Sequence, residues 1–128
     1  MKYYFEKTVD YSFEEAVEKV TEELKKEGFG VLTEIDVQAT LKKKLDVDFR
    51  KYQILGACNP PFAHKALQAE NKIGAMLPCN VIVQELEDGK IEVATVDPVA
   101  SMLAVENDKL GEIANEIRSK LQKVIENV

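Results

Sequence analysis

The Asp88-Gly89 pair, set between two β-rich segments, is the feature that most narrows the folds open to this chain. Asp-Gly favours a tight hairpin because glycine, and to a lesser degree aspartate, tolerates a positive φ. The flanking segments, Cys79 to Leu86 and Lys90 to Val96, are rich in the β-branched residues that suit strands. They predict two neighbouring antiparallel strands, and therefore a sheet with at least one covered face.

Two amphipathic helices are predicted to provide that cover. Ser12 and Glu15 form a capping box, and apolar residues then recur at helical spacing until Gly28 offers a left-handed stop. A second helix near the end of the sequence has a broad apolar stripe. The stripe comprises Leu110, Ile113, Ala114, Ile117, Leu121, Val124 and Ile125.

Three further strands are predicted from β-favouring residues, at Lys2 to Val9, Phe29 to Ile35 and Lys51 to Cys58. Asp36 caps a short helix, and Asn59, placed before two prolines, is expected to cap another. The order is then strand, helix, four strands, helix, with short extra helices. We predict one α+β domain over residues 1–128, with helices on one face of a mainly antiparallel sheet.

Composition and charge exclude several classes of function. With 45% hydrophobic and 31% charged residues, the chain is expected to fold as an ordinary globular domain. The 17 basic and 23 acidic residues give a net charge of −6, which disfavours nucleic acid as a partner. The sequence has no phosphate-binding or dinucleotide motif, so no nucleotide cofactor is expected. The first seven residues are interrupted by charge too early for the apolar core of a signal peptide, and no later apolar run approaches membrane-spanning length. We therefore expect a cytoplasmic protein without membrane attachment.

The connectivity predicts where chemistry could be concentrated. In an antiparallel meander, Cys58 closes the third strand at the sheet rim where Cys79 opens the fourth. Asp97 lies just beyond the fifth strand at the same rim. His64, the single histidine, follows in the helix after Cys58 and is expected within reach of the two thiols.

Several kinds of thiol chemistry are compatible with this arrangement. Cys58 precedes a helix N-terminus, whose positive end is expected to lower the pKa of a thiol turned toward it. Cys58, Cys79, His64 and Asp97 could ligate zinc or another soft metal such as copper(I). Alternatively, Cys58 and Cys79 could form a redox or sulfur-transfer pair, with Cys58 attacking and Cys79 resolving. A hydrolase with Cys58 as nucleophile and His64 as base is the least supported, because no glycine-rich oxyanion loop is present.

A hypothesis from another class is a non-catalytic module for a small ligand or a protein partner. Its pocket would lie between sheet and helices, with Cys58 and Cys79 as structural parts of the wall. The sequence therefore leaves open whether the chain is an enzyme.

Three blocks of the sequence resemble a known family. They are Gly28 to Val37 (GFGVLTEIDV), Tyr52 to Pro61 (YQILGACNPP) and Leu77 to Val83 (LPCNVIV). Together they resemble the domain-of-unknown-function family 302 over nearly the whole chain. The resemblance implies an α+β domain similar to the TATA-binding-protein-like arrangement, usually a homodimer. An edge strand such as the first, which needs pairing or protection, also favours a dimer. The family carries no assigned activity, although an association with sulfur and redox functions favours the thiol hypotheses.

Overall fold

Helices and strands follow one another in the predicted order in the computed structural model, which describes residues 2–128. The four-stranded run between the two main helices is present, and short helices are inserted after β2, β3 and β5. The predicted α+β class is therefore confirmed. The elements are β1 (Tyr4–Val9), α1 (Phe13–Lys26), β2 (Gly30–Asp36), α2 (Val37–Leu45), β3 (Tyr52–Cys58), α3 (Pro60–Ala69), β4 (Cys79–Glu85), β5 (Ile91–Val96), α4 (Pro98–Ser101) and α5 (Asp108–Asn127), with a 3-10 turn at Ile73–Met76.

Within residues 2–128, the strands form one antiparallel sheet in the order β1-β5-β4-β3-β2. Strands β2 to β5 are consecutive neighbours, and β1 pairs with the outer side of β5. The predicted hairpin joins β4 to β5, and Gly89 has a φ of +84° at its turn. Both edges of the sheet are therefore formed by the strands that come first in the chain.

Both long helices begin at side-chain caps, and α1 ends at the predicted glycine. The Ser12 hydroxyl accepts a hydrogen bond from the Glu15 amide at 3.1 Å, and Gly28 follows α1 with a φ of +86°. Asn107 caps α5 by accepting from the Lys109 amide at 3.0 Å. None of the helices in the described part of the chain combines the length and the apolar character needed to cross a membrane.

Helices α1 and α5 cover one face of the sheet and form the main core with it. Val81 and Val83 of β4 are fully buried in this core, together with Leu24 of α1 and Leu121 of α5. Because side chains alternate along a strand, the intervening Ile82 lies on the opposite face. We call this second surface the open face.

Candidate functional site

The two cysteines lie at one rim of the sheet. Cys79 begins β4 and pairs with Ala57, so Cys58 is one residue beyond the position opposite Cys79. Both cysteines are free thiols. The meander therefore brings together two thiols that are 21 positions apart in the sequence.

Behind this rim is a cavity of about 290 Å³, which we call the thiol-rim pocket. It lies where the ends of β3 and β4 meet α3 and α5, and both thiols belong to its wall. The remaining wall is almost entirely apolar. Its larger apolar side chains are Phe29, Leu32, Phe62, Leu67, Leu77, Met102, Ile113 and Ile117.

The two thiols differ in their environment. Cys79 is buried, with 8% of its surface exposed, whereas Cys58 is partly exposed. Burial, with a smaller contribution from the nearby Cys58, raises the pKa of Cys79 from 9.0 to about 11. Cys79 therefore stays protonated at neutral pH, where it is a weak nucleophile and a weak metal ligand.

His64 does not line the thiol-rim pocket. Phe62, Ala63 and Ala66 of α3 line the thiol-rim pocket, whereas His64 is exposed on the helix surface. At about 100° per residue, the side chains of α3 that line the pocket span an arc of about 140°, and His64 falls outside this arc. His64 therefore takes no part in the wall that contains the two thiols.

Asp97 is occupied by other partners. Its Oδ1 accepts a hydrogen bond from the Val99 amide at 3.0 Å and so caps α4. Its Oδ2 accepts from Arg118 Nε at 3.2 Å, and the two side chains form an ion pair. Across residues 2–128 there is no group of three or more His, Cys, Asp and Glu side chains suited to a metal ion. The structure does not gather the four predicted ligands into one site.

Asn59 has a role that differs from the predicted one. It occupies the N-cap position of α3, but its side chain makes no capping hydrogen bond to that helix. Instead, its Nδ2 donates to the carbonyl oxygen of Glu27 at 3.2 Å. The buried amide thereby links the wall of the thiol-rim pocket to the end of α1, and the prediction of side-chain capping was wrong.

A second concavity, of about 650 Å³, lies on the open face, and we call it the open-face groove. Ile82 and Ala94 contribute to its floor, and Tyr4 and Tyr52 line it from β1 and β3. The sequence interpretation did not identify this groove. The available signal was the alternation of Tyr52, Ile54 and Gly56 on one side of β3.

Comparison with known protein families shows to which family the chain belongs. The model of the family described as Domain of unknown function DUF302 matches residues 5–128. The chain belongs to the DUF302 family. The resemblance carried by the GACNPP and LPCN blocks is therefore confirmed. A comparison with curated proteins gives no match.

A solved DUF302 structure has the same architecture. It is the crystal structure of an uncharacterized conserved DUF302 protein from Bacillus stearothermophilus, with 29% sequence identity and a TM-score of 0.92. The alignment covers 99% of this chain and 98% of that one. The agreement extends over the whole DUF302 domain, including the strands that form the thiol rim and the open face.

Proposed function

We propose that this chain is a non-catalytic binding domain for a small, uncharged, apolar molecule held in the thiol-rim pocket. The observation that carries the proposal is the combination of a volume of about 290 Å³ with an almost entirely apolar wall. Ligand sites in proteins are commonly apolar concavities of about this size or larger. In this function, Cys58 and Cys79 are parts of the wall.

The size of the pocket limits its ligand. A dry apolar cavity of about 150 Å³ holds one benzene molecule, so about 290 Å³ corresponds to a compound of two fused rings. A charged ligand is disfavoured because it would lose its hydrating water on entering the pocket, and the apolar wall has no opposite charge to compensate. Indole and naphthalene have the appropriate size and polarity.

A second candidate function is thiol–disulfide exchange, favoured by the presence of both cysteines in one pocket wall. The Cys58 thiolate would attack an external disulfide such as glutathione disulfide and release one glutathione thiolate. Cys79, after losing its proton, would displace the second, leaving a Cys58–Cys79 disulfide and two reduced glutathiones. The raised pKa of Cys79 opposes this second step at neutral pH. A zinc site is less favoured still. Structural zinc takes four ligands, and the described residues include no cluster of even three candidate ligands.

Indole titration of the ¹⁵N-labelled protein, followed by NMR, tests the binding function. We expect saturable shifts at Phe62 and Ile113 with a Kd on the order of 1 mM, as befits a ligand of about nine heavy atoms. Ala63→Phe fills the pocket and is expected to abolish these shifts. Gln68→Phe adds the same ring on the exposed side of α3 and serves as the matched control.

A variant without cysteines separates the two candidate functions. Cys58→Ser combined with Cys79→Ala removes both thiols with little change in pocket shape. The binding function predicts that this variant still binds indole. Thiol exchange predicts that glutathione disulfide oxidises the native chain to the Cys58–Cys79 disulfide, as read by mass spectrometry. No indole shifts in the native protein, together with rapid formation of this disulfide, would overturn the binding function.

We also propose that the chain forms a homodimer in solution. Strand β2 is a sheet edge, and its Leu32 and Ile35 are 68% and 46% exposed; Leu45 of the following helix α2 is 66% exposed. Apolar side chains exposed on an edge strand favour contact with a second copy. Sedimentation should show a species of twice the 14.4 kDa chain mass, which Leu32→Lys splits and the control Leu103→Lys does not. A single 14.4 kDa species of the native chain would refute the dimer.

A cytoplasmic location is the last part of the proposed function. It is supported by the free state of Cys58 and Cys79, which is usual in a reducing compartment. Fractionation of cells that express the chain tests it, and recovery from an oxidising compartment would contradict it.

A further inference from the structure

The open-face groove has a floor and a rim of different chemistry. Ile82 of β4 and Ala94 of β5 are paired in register and form the centre of an apolar floor. Glu6 of β1 pairs with Ala94 and lines the groove from its edge. The 3-10 turn and the residues after it, at 75–78, provide a wall. The groove therefore has space for a flat apolar body beside polar groups.

Among the described residues, the charged side chains that line this groove are both carboxylates. They are Glu6 and Glu92, on adjacent strands. Glu6 pairs with Ala94, so Glu92 lies on the diagonal, at a separation of about 7–8 Å between backbones. One ligand cation placed between them would be attracted by both carboxylates.

A line of hydrogen bonds holds Glu92 in position. Arg50 Nε donates to Gln84 Oε1 at 3.0 Å, and Gln84 Nε2 donates to Glu92 Oε1 at 2.8 Å. The Arg50 guanidinium is stacked near the Phe49 and Tyr52 rings, at 4.5 and 5.3 Å from their centroids. Arg50 therefore packs against the two aromatic rings at one end of this hydrogen-bonded series, and Glu92 forms the other end.

An ammonium group of the chain itself shows how a cation fits at the other carboxylate. Lys2 Nζ lies 3.6 Å from Glu6 Oε1 and 5.0 Å from the centroid of the Tyr4 ring. A cation beside a carboxylate and over a tyrosine ring gains both charge attraction and cation–π attraction. Because the Lys2 side chain is 60% exposed, its ion pair is weak and a ligand can displace it.

From these contacts we propose that the open-face groove binds an organic ammonium ion with a flat apolar body. The ammonium lies against Glu6 and the Tyr4 ring, with Glu92 supplying the second negative charge. The apolar body covers Ile82 and Ala94. The groove is on the face of the sheet opposite α1 and α5. It shares Leu77 and Pro78 with the wall of the thiol-rim pocket, but Glu6 and Glu92 line the groove and not that pocket.

Three probes that share a benzyl or phenyl group test the charge preference. They are benzyltrimethylammonium, the uncharged benzyl alcohol and the anion benzenesulfonate, each titrated against ¹⁵N-labelled protein by NMR. We expect the ammonium probe to shift Tyr4, Ile82 and Ala94, and to bind at least about fivefold more tightly than benzyl alcohol. Equal or tighter binding of either other probe, or no shifts with about 10 mM ammonium probe, overturns the proposal.

Charge-removing variants identify the residues responsible. Glu6→Gln and Glu92→Gln are each expected to weaken ammonium binding about fivefold. Glu34→Gln makes the same charge change at an exposed position outside the groove and is expected to leave binding unchanged. Lys2→Ala removes the internal competitor and is expected to tighten binding about twofold. Unchanged binding in both groove variants, or weaker binding in Lys2→Ala, contradicts the assignment.

Discussion

Site-resolved alkylation of the two thiols is the most direct measurement on the rim. The pKa of Cys79 is raised from 9.0 to about 11, first by burial and second by Cys58. At about pH 8, a thiol with a pKa of 9.0 is about one-tenth ionised, whereas one with a pKa of about 11 is about one-thousandth ionised. Since the thiolate is the reactive form, Cys79 should react about 100-fold more slowly than an unperturbed thiol.

The assay uses iodoacetamide, with the modified peptides quantified by mass spectrometry across a pH series. The same cysteine in urea-denatured protein is the reference, because unfolding removes the burial. The rate at Cys79 should rise about tenfold per pH unit and level off only near pH 11. Cys58→Ser should lower the pKa of Cys79 slightly and leave it above 9.0, since burial is the larger cause. Labelling of Cys79 within about threefold of the denatured rate at pH 8 would refute the reasoning.

Two stability predictions concern the surroundings of the rim and are measured by urea denaturation. A Cβ at Gly56 would collide with the side chain of Thr33 and lie 2.8 Å from Pro78 Cγ, so Gly56→Ala should cost about 1–3 kcal/mol. Gly30→Ala, where a Cβ meets open space, is the control, and equal costs would contradict the packing argument. Asp97→Ala removes the α4 cap and the Arg118 ion pair and should cost about 1–2 kcal/mol. The exposed Asp48→Ala should stay within about 0.5 kcal/mol, and a similar loss there would contradict the Asp97 assignment.

The fold could be predicted from sequence because its decisive signals are local. The Asp88-Gly89 turn and the Ser12 capping box each depend on a few adjacent residues, and both form as expected. The convergence of Cys58 and Cys79 then follows from topology alone, because antiparallel neighbours place the end of one strand beside the start of the next.

The details of the rim could not be predicted because they depend on tertiary partners. Asn59 does not cap α3 because its side chain bonds to Glu27, which is 32 residues away. Asp97 is held by Arg118, which α5 brings across from 21 residues away. For His64, the phase of α3 decides its direction, and that phase is set by which apolar residues meet the core. A spacing along the sequence indicates none of these partners.

The open-face groove was missed for a different reason. Ile54 and Ile82 suit a buried strand as well as an open one, so alternation alone does not say which face a helix covers. The answer depends on α1 and α5, which pack together on the side of Val81 and Val83. The other face stays uncovered because the two long helices, α1 and α5, both pack on the same side of the sheet.

The charge on that uncovered face argues against the DNA binding for which a TATA-binding-protein-like sheet could be used. DNA affinity depends on basic groups that replace counterions at the phosphates, and the attraction is strongest at low salt. Here Glu6 and Glu92 line the exposed concavity of a chain with a net charge of −6. Even after both are changed to glutamine, the net charge is −6 + 2 = −4. We therefore expect no anisotropy change of a labelled duplex with native or doubly substituted protein at about 50 mM salt. Binding of the duplex by the native protein would show that the carboxylates do not control what the open face accepts, and would contradict the ammonium site as well. Binding by the doubly substituted protein alone would instead show that Glu6 and Glu92 exclude DNA, and would contradict the argument from net charge.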